Sequence, residues 1–516
     1  MNLTTLTVGR PANQSLSLSE RAQYSCKLAK DLENAGEYEA ACEALIEFWP
    51  ARNVQPELKG LDTDSRAEVL LRVGTLTGWT GSASQAADAQ ATAKDLISQS
   101  IAVFEELGES NRVIEARSEL GVCYWREGAF DEARILFSDV IHNLGESANE
   151  EKALALVRAA IVEMTAGRHS ESLSIYRQGK ALVEASSSHS LKGRFHNGLG
   201  TLLNCMALAE SSEDKLDQAL MEFTAASVHF EQAGHHRYRA RVENNLGYLF
   251  CTIGKFEEAH THLNRARRLF LDLKDIGGTA GVDETRARAL LAEGRLTEAE
   301  RFAHTAVKTL DLGGEQSLLA EALTTHGTVL ARMGKTARAK ASLQRAIEVA
   351  QTSGDLEGAG RAHLNTIEEL GQQISFDELA SNYKRALDLL QSSQDPATTR
   401  RLISCAQKVI GTLAVSGDRD ADASANGKSW DGFSFKQEVL DYEKAIISRA
   451  LRDTGGAVTK AARLLGFNHH QSLIALINSR HKGLLGVRSA VRKRRRSIIK
   501  IGKNRSKKRA SWASQP

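Results

Sequence analysis

The sequence predicts an all-α protein, in which a superhelix of antiparallel helix pairs is followed by a small helix-turn-helix domain and a basic tail. Three observations support this prediction. Residues 57–395 contain no proline, which suits uninterrupted helices. A frame of small and large residues recurs along the same stretch, which is typical of a repeat array. Beyond residue 453 the chain loses every acidic residue and becomes strongly basic.

The clearest copy of the repeat is ENNLGYLFCTIGKFEEAHTHLNRARRLF, residues 243–270. Gly247 lies in the first predicted helix, Gly254 in the turn, and Ala259 and Ala266 in the second helix. Small residues at these places let two antiparallel helices touch closely, while the large residues between them fill the space to the next pair. The segment therefore predicts one helical hairpin.

The usually small position of the second helix marks nine copies of this frame. They are Ala41, Ala93, Ala133, Ser172, Ala219, Ala259, Ala299, Ala339 and Leu379. The first, second and fourth copies are degenerate, whereas the spacing is 40 at every step from Ala219 onward. With NNLG followed by GKFEEA, the frame resembles the tetratricopeptide repeat over roughly residues 20–395. An N-terminal tail, 1–19, precedes the array, and a helix over 396–415 is expected to cap its last apolar face.

The resemblance implies a superhelix whose first helices line a concave face that holds a peptide or another protein. The residues that it places on this face are Arg194, Asn197, Asn204, Arg241, Asn244, Asn245 and Tyr248. The alternative is that these polar side chains are solvated or bridge neighbouring helices.

No sequence motif indicates catalysis. The string MGKT, 333–336, has Val329 where a phosphate-binding loop needs glycine, and GxSxG and HExxH do not occur. The six cysteines are spread singly without a CxxC, so we expect reduced thiols and no metal. We expect no enzyme activity and no cofactor. Without a leader or an apolar run of ~20 residues, we also expect a cytoplasmic protein that makes no membrane contact.

The C-terminal region begins with a small, polar segment, SGDRDADASANGKSWDG, which predicts a flexible linker over 416–432. A separate domain is expected over 433–485. Its first helix ends at Gly455-Gly456, a short second helix covers 458–465, and a turn at 466–468 leads to a third helix that runs to about Ile477. That order is the layout of a helix-turn-helix.

The string EKAIISRALRDTGGAVTKAARLLGFN, residues 443–468, resembles the Fis-type DNA-binding domain. By this resemblance Thr459 and Lys460 contact phosphates, and the start of the third helix faces base edges. Two features depart from the family pattern: Ala457 replaces the usual Asn, and the third helix opens without arginine. The residues predicted to contact DNA here are Thr459, Lys460, His469, His470, Gln471, Ser472, Arg480 and Lys482. An amide such as that of Gln471 suits a bidentate contact with adenine.

The third helix opens without arginine, so we expect a basic tail, 486–516, to supply most of the affinity for phosphates. Of the 67 Lys and Arg residues, 16 lie within 454–516, and none of the 64 acidic residues does. The densest run is Arg492, Lys493, Arg494, Arg495 and Arg496. A charge run is often only a solvated tail, but one attached to a helix-turn-helix favours nucleic acid.

These features predict a transcriptional regulator whose repeat array receives a protein or peptide and whose C-terminal domain binds double-stranded DNA. The alternative is a repeat scaffold whose basic tail binds nucleic acid or anionic surfaces nonspecifically. Fis-type domains commonly act as dimers, so the resemblance also allows a homodimer.

Overall fold

A computed structural model describes residues 16–52, 54–145, 149–210, 212–424, 434–467 and 469–487. Within these ranges the chain forms 22 α-helices and one 3₁₀ helix, and no β-strand. The predicted all-α fold is confirmed. The chain divides into two compact units, residues 1–417 and 418–516, which are described separately below.

Nine consecutive helix pairs make up most of the first unit. Their bounds are Leu18–Ala35 (α1) and Tyr38–Ala44 (α2), Thr63–Ser84 (α3) and Ala89–Leu107 (α4), Ser110–Glu127 (α5) and Phe130–Leu144 (α6), Glu150–Thr165 (α7) and His169–Ala185 (α8), His189–Glu210 (α9) and Glu213–Gln232 (α10), His236–Thr252 (α11) and Phe256–Asp272 (α12), Ile276–Ala292 (α13) and Leu296–Leu310 (α14), Gln316–Arg332 (α15) and Thr336–Ser353 (α16), and Leu356–Leu370 (α17) and Phe376–Leu389 (α18). A further helix, Pro396–Ser424 (α19), follows them.

The small positions of the repeat frame lie where two helices touch. Gly247 of α11 faces Leu263 of α12 so closely that an added Cβ would lie 2.7 Å from the Leu263 Cγ atom. Ala259 and Ala266 are fully buried on the same helix. Gly254, in the turn, has a φ of 74°, which L side chains rarely adopt. The spacing of these residues in the sequence therefore reflects close helix packing and the shape of the turn.

Helix pairs five or six apart along the chain also touch, because the superhelix returns upon itself. The Arg237 guanidinium of α11 lies over the Tyr38 ring of α2, with 4.9 Å between the guanidinium carbon and the ring centroid. The Gln85 side-chain amide after α3 donates to a Glu315 carboxylate oxygen at 3.2 Å. The backbone N–H of Gln394 donates to the carbonyl of Gly167 at 2.9 Å. We call this line of contacts the seam.

The helix after the ninth pair is longer than the sequence predicted. It begins at Pro396 as expected but continues to Ser424, so residues 416–424 are helical and are not linker. Small and polar residues such as those of 416–424 can be helical when they extend a helix that is already nucleated. The rest of the predicted linker, 425–432, lies outside the described residues.

All six cysteines are unpaired thiols, and five of them are buried. Burial raises the pKa of Cys26 to about 12, which leaves its thiol protonated and unreactive. None of the helices within the described ranges is long and apolar enough to cross a membrane.

The second unit contains a compact three-helix arrangement. Its helices are Phe435–Asp453 (α20), Val458–Leu464 (α21) and His470–Arg480 (α22), and a 3₁₀ helix covers Lys482–Val487. Leu451, Ala461, Leu473 and Ile477 are fully buried in its core, and the small Ala461 lets α21 cross close to its neighbours. The third helix ends at Arg480, a turn beyond the predicted end near Ile477.

Candidate functional site

The third helix of the second unit exposes one face. Leu473 and Ile477 point into the core and are 0% exposed, whereas Gln471, Ala475 and Asn478 are exposed. Since the exposed residues are spaced by four and then three positions, they lie along one line on the opposite side of the helix. The helix therefore presents an exposed edge, with the amides of Gln471 and Asn478 on either side of the small Ala475, that can enter a DNA groove.

The other described residues predicted to contact DNA are also at the surface. Thr459 and Lys460 lie at the start of α21, and both are exposed. The three residues around the start of α22 that accompany Gln471 are exposed as well, namely His469, His470 and Ser472. Lys482 is exposed beyond the third helix. The predicted contacts Arg492, Lys493, Arg494, Arg495 and Arg496 lie outside the described residues.

Arg480 differs from the other predicted DNA contacts because an acidic side chain lies beside it. Its Nη1 lies 3.7 Å from the carboxylate of Glu443 on α20. The same carboxylate lies 2.9 Å from Nε2 of His481, which is buried. Glu443 thus ties α20 to the end of the third helix and partly neutralises Arg480.

Asn478 is a surface residue that was not among the predicted DNA contacts. It lies seven positions after Gln471 and therefore two helical turns along the same exposed edge. Its side-chain amide offers both a donor and an acceptor to a base. The sequence does indicate that Asn478 is exposed, because the apolar residues Leu473 and Ile477 define the buried side of the helix.

The first unit contains a partly open chamber of about 400 Å³. It is lined mainly by the first helices of the second to eighth pairs, which are α3, α5, α7, α9, α11, α13 and α15, and Phe130 and Phe137 of α6 and Phe270 of α12 complete the wall. Trp79 and Trp125 form part of its apolar wall, and Arg126, Arg194 and Arg241 project basic groups into it. The volume lies within the range of small-ligand and short-peptide sites.

Amide side chains cover the middle of the chamber wall. The Asn245 Nδ2 group donates to Asn197 Oδ1 at 2.9 Å and to Thr201 Oγ1 at 3.3 Å, so α9 and α11 are joined by their polar edges. The buried Oδ1 atom of the adjacent Asn244 has no hydrogen-bond partner among the described residues. An orphaned acceptor of this kind is suited to an N–H donor from a bound molecule.

The arginines of the chamber stack on aromatic rings. The guanidinium carbons of Arg194 and Arg241 lie 4.7 and 5.5 Å from the centroid of the Tyr238 ring. Arg126 lies 3.7 Å from the centroid of the Trp79 ring. Cation–π contacts hold these guanidiniums in place while leaving their N–H donors directed elsewhere.

Five of the seven residues predicted for the concave face line the chamber, namely Arg194, Asn197, Arg241, Asn244 and Asn245. The other two do not. Asn204 is 2% exposed and lies a turn beyond Thr201, where α9 is covered. Tyr248 lies a turn beyond Asn245, with its ring 5.8 Å from the Arg288 guanidinium carbon. Both positions therefore lie beyond the residues that line the chamber.

Comparisons with known families agree with both units. The tetratricopeptide-repeat profile matches residues 198–272 and 320–353. The profile described as bacterial regulatory protein, Fis family, matches residues 439–469, which include most of α20 and all of α21 and end just before α22. The chain carries tetratricopeptide repeats and a Fis-family helix-turn-helix. Both families are regulatory or binding domains, and together they are the parts of a DNA-binding regulator with a repeat sensor domain.

Solved structures resemble the tetratricopeptide-repeat array. A Rap protein complexed with competence and sporulation factor is 15% identical, covers 76% of this chain and 99% of its own, and superposes with a TM-score of 0.50. Yeast Tom70 is 14% identical over 79% of this chain and 85% of its own, with a TM-score of 0.37. Aspartyl phosphate phosphatase F from Bacillus subtilis is 13% identical over 74% and 96%, with a TM-score of 0.36.

The likeness to the Rap protein shows the fold of the array alone, because identity is low. A comparison with curated protein sequences gave no match.

Proposed function

We propose that this protein is a transcriptional regulator in which the chamber of the repeat array receives a peptide or protein segment and the Fis-family unit binds double-stranded DNA at specific sites. The observation that carries the proposal is the exposed edge of the third helix. Gln471 and Asn478 stand on the face opposite the buried Leu473 and Ile477. Amide side chains on such an edge suit base recognition in the major groove.

Two further observations support the sensory part of the proposal. The chamber is partly open, its volume of about 400 Å³ can hold part of a short peptide, and amide groups line its wall. The Rap structure of similar fold is a complex with competence and sporulation factor. Because the matched helix-turn-helix is that of a bacterial regulatory protein, the proposed place of action is the cytoplasm, where bacterial DNA lies.

We also propose that the regulator acts as a homodimer through α20. Val439, Tyr442 and Ile446 are exposed and are spaced by three and four positions, so they form an apolar stripe on one face. Tyr442 is 72% exposed, which is unusual for an aromatic side chain with no partner surface. Light scattering of the full chain and of Tyr442→Glu tests this, because the dimer mass should be lost in the variant.

The DNA-binding proposal is tested by selecting sites from a random duplex pool with the full chain. The expected result is one sequence that binds at least about tenfold more tightly than random duplex at moderate salt. If ~6 basic groups contact phosphates, log affinity should fall with log salt at a slope of roughly −5. Equal affinity for all duplexes would instead favour a scaffold that binds nucleic acid nonspecifically.

A further inference from the structure

We propose that the chamber selects acidic peptides, and that it binds a ligand carboxylate at the basic wall formed by Arg126, Arg194 and Arg241. This inference rests on the proposed function, because it specifies the chemistry of the peptide that the array receives.

The basic wall has no acidic partner at ion-pair distance, although the Glu33 and Glu119 carboxylates lie near enough to contribute to the raised pKa of Arg194. Among the described residues, no carboxylate oxygen lies within 4.0 Å of the guanidinium nitrogens of Arg126, Arg194 or Arg241. Arg126 is only 6% exposed, and its buried Nη2 group has no hydrogen-bond partner in that part of the chain. A buried guanidinium with a free N–H donor is costly unless a bound group accepts that donor.

The other charged groups of the chamber are already engaged. The Arg158 guanidinium donates to Glu119 at 2.7 Å, and the Glu321 carboxylate accepts from Arg288. Glu315 accepts from the Gln85 amide at the seam. Because the Gln85 amide is neutral, Glu315 keeps its negative charge. The lining groups without a counter-charge in contact are thus the three arginines of the basic wall and this one carboxylate, which leaves a net positive charge.

Two neighbouring groups respond to the positive potential. Burial raises the pKa of the Tyr238 phenol, yet Arg194 and Arg241 outweigh burial, and the net shift of its pKa is downward. Burial and the nearby guanidiniums of Arg194, Arg237 and Arg241 together lower the pKa of His235 to about 2. An environment that favours a phenolate and opposes an imidazolium also favours a carboxylate.

The remaining surface of the chamber suits a peptide better than a small inorganic anion. Trp79, Trp125 and Phe130 offer apolar walls beside the arginines. The free Asn244 Oδ1 can accept a peptide N–H, and the Asn197 and Asn245 side chains lie beside it. A guanidinium pair that binds a carboxylate bidentately adds orientation to this surface.

The inference is tested with three pools of fluorescein-labelled hexapeptides that are alike except for two fixed positions, which are acidic, basic or neutral. Binding to the full chain is followed by fluorescence polarisation. The acidic pool should bind about tenfold more tightly than the neutral pool, as expected for charge-assisted hydrogen bonds in a partly buried site. Arg194→Gln and Arg241→Gln should each remove most of this preference, while Arg241→Lys should retain part of it.

Arg268→Gln is the matched control, since Arg268 is exposed on α12, outside the chamber. It should leave the preference unchanged. If all three pools bind equally, or if the arginine variants keep the full preference, the acidic selection is overturned while peptide reception stands. If no pool binds the chain, peptide reception in the chamber fails together with this inference. Circular dichroism of each variant separates loss of binding from loss of folding.

Discussion

The imidazole of His235 fills the space beside Gly36, where an added Cβ would lie 2.5 Å from the His235 Cε1 atom. Gly36 follows α1, and His235 precedes α11, so this contact joins the first and sixth helix pairs at the seam. Gly36 also has a φ of 83°, which a side chain would strain. Two separate physical requirements therefore select glycine at this position.

Gly36→Ala should destabilise the array more than a substitution at another left-handed glycine. The backbone strain costs about 1 to 2 kcal/mol, and the clash with His235 should add roughly 1 to 3 kcal/mol. Gly254→Ala is the control, because Gly254 has a φ of 74° and no atom within 4 Å of the added Cβ. Thermal unfolding of the full chain measures the loss of stability in each variant. Equal losses in the two variants would mean that the His235 contact is unimportant.

His235 should make the array sensitive to acid. The folded chain holds this imidazole neutral, since burial and the nearby Arg194 lower its pKa from 6.5 to about 2. Its contribution to stability is therefore complete above about pH 6.5 and is lost below it, by at most about 1.4 kcal/mol per pH unit. Urea midpoints between pH 7.5 and 5.0 should fall.

His235→Asn should reduce this pH dependence while keeping an oxygen that can cap α11, as the His235 side chain does by accepting from the Tyr238 N–H. His142→Asn, at an exposed position, should leave the pH dependence unchanged. A decline with pH that is identical in the wild type and in His235→Asn would contradict the prediction.

Substitutions on the third helix should separate base reading from phosphate binding. Gln471→Ala and Asn478→Ala should each reduce discrimination at one base pair of the selected site by about 1 to 3 kcal/mol. Lys460→Ala should weaken binding to all duplexes alike and lower the magnitude of the salt slope by about 1. Gel shifts with selected and random duplexes give both quantities. Loss of discrimination in Lys460→Ala alone would contradict these assignments.

The core of the Fis-family unit should depend on Leu473. This side chain is 0% exposed, so Leu473→Ala should cost about 2 to 5 kcal/mol. Because a unit of this size has a small free energy of unfolding, this loss should strongly accelerate hydrogen exchange in α20 to α22. Leu464→Ala, at a position that is 64% exposed, is the control and should change exchange little. Exchange in α3 to α18 should be unaffected in both variants.

Ala457 lies at the start of α21, where a residue with a capping side chain should stabilise the helix. It is the N-cap of α21, with extended backbone angles and no side chain that accepts a hydrogen bond from the first turn. Ala457→Asn should stabilise the unit by about 0.5 to 2 kcal/mol and slow hydrogen exchange in α21. Ala457→Gln adds an amide that is too long to cap and should have little effect. No slowing in the Asn variant would show that another group limits the opening of this helix.

The sequence was sufficient to predict the repeat frame and the position of the helix-turn-helix, because both depend on local periodicity. Gly247 and Ala259 meet the neighbouring helix of the same pair, so their spacing reports a local contact. Likewise Gly455, Gly456 and Gly466 adopt positive φ in the turns of the second unit, as their places in the sequence suggested.

Features that depend on contacts distant in sequence were not predictable. Nothing local indicates that Gln85 meets Glu315, or that Gln394 meets Gly167, because each contact depends on the accumulated curvature of several pairs. Nor does the local sequence indicate how far the chamber extends along each helix, so Asn197 of α9 lines it whereas Asn204, two turns further along the same face, does not. The end of α19 at Ser424 was missed because small polar residues do not distinguish a helix extension from a linker.

The seam also limits how this protein can change in evolution. In an open solenoid, the insertion or deletion of one repeat leaves the other interfaces intact, since each repeat touches only its neighbours. Here one extra pair in the middle would move Glu315 away from Gln85 and Gln394 away from Gly167, and every later contact along the seam would lose its partner at once. The number of repeats should thus be inherited as a unit, and variation in length should be confined to the ends of the array and to the loops on its outer surface.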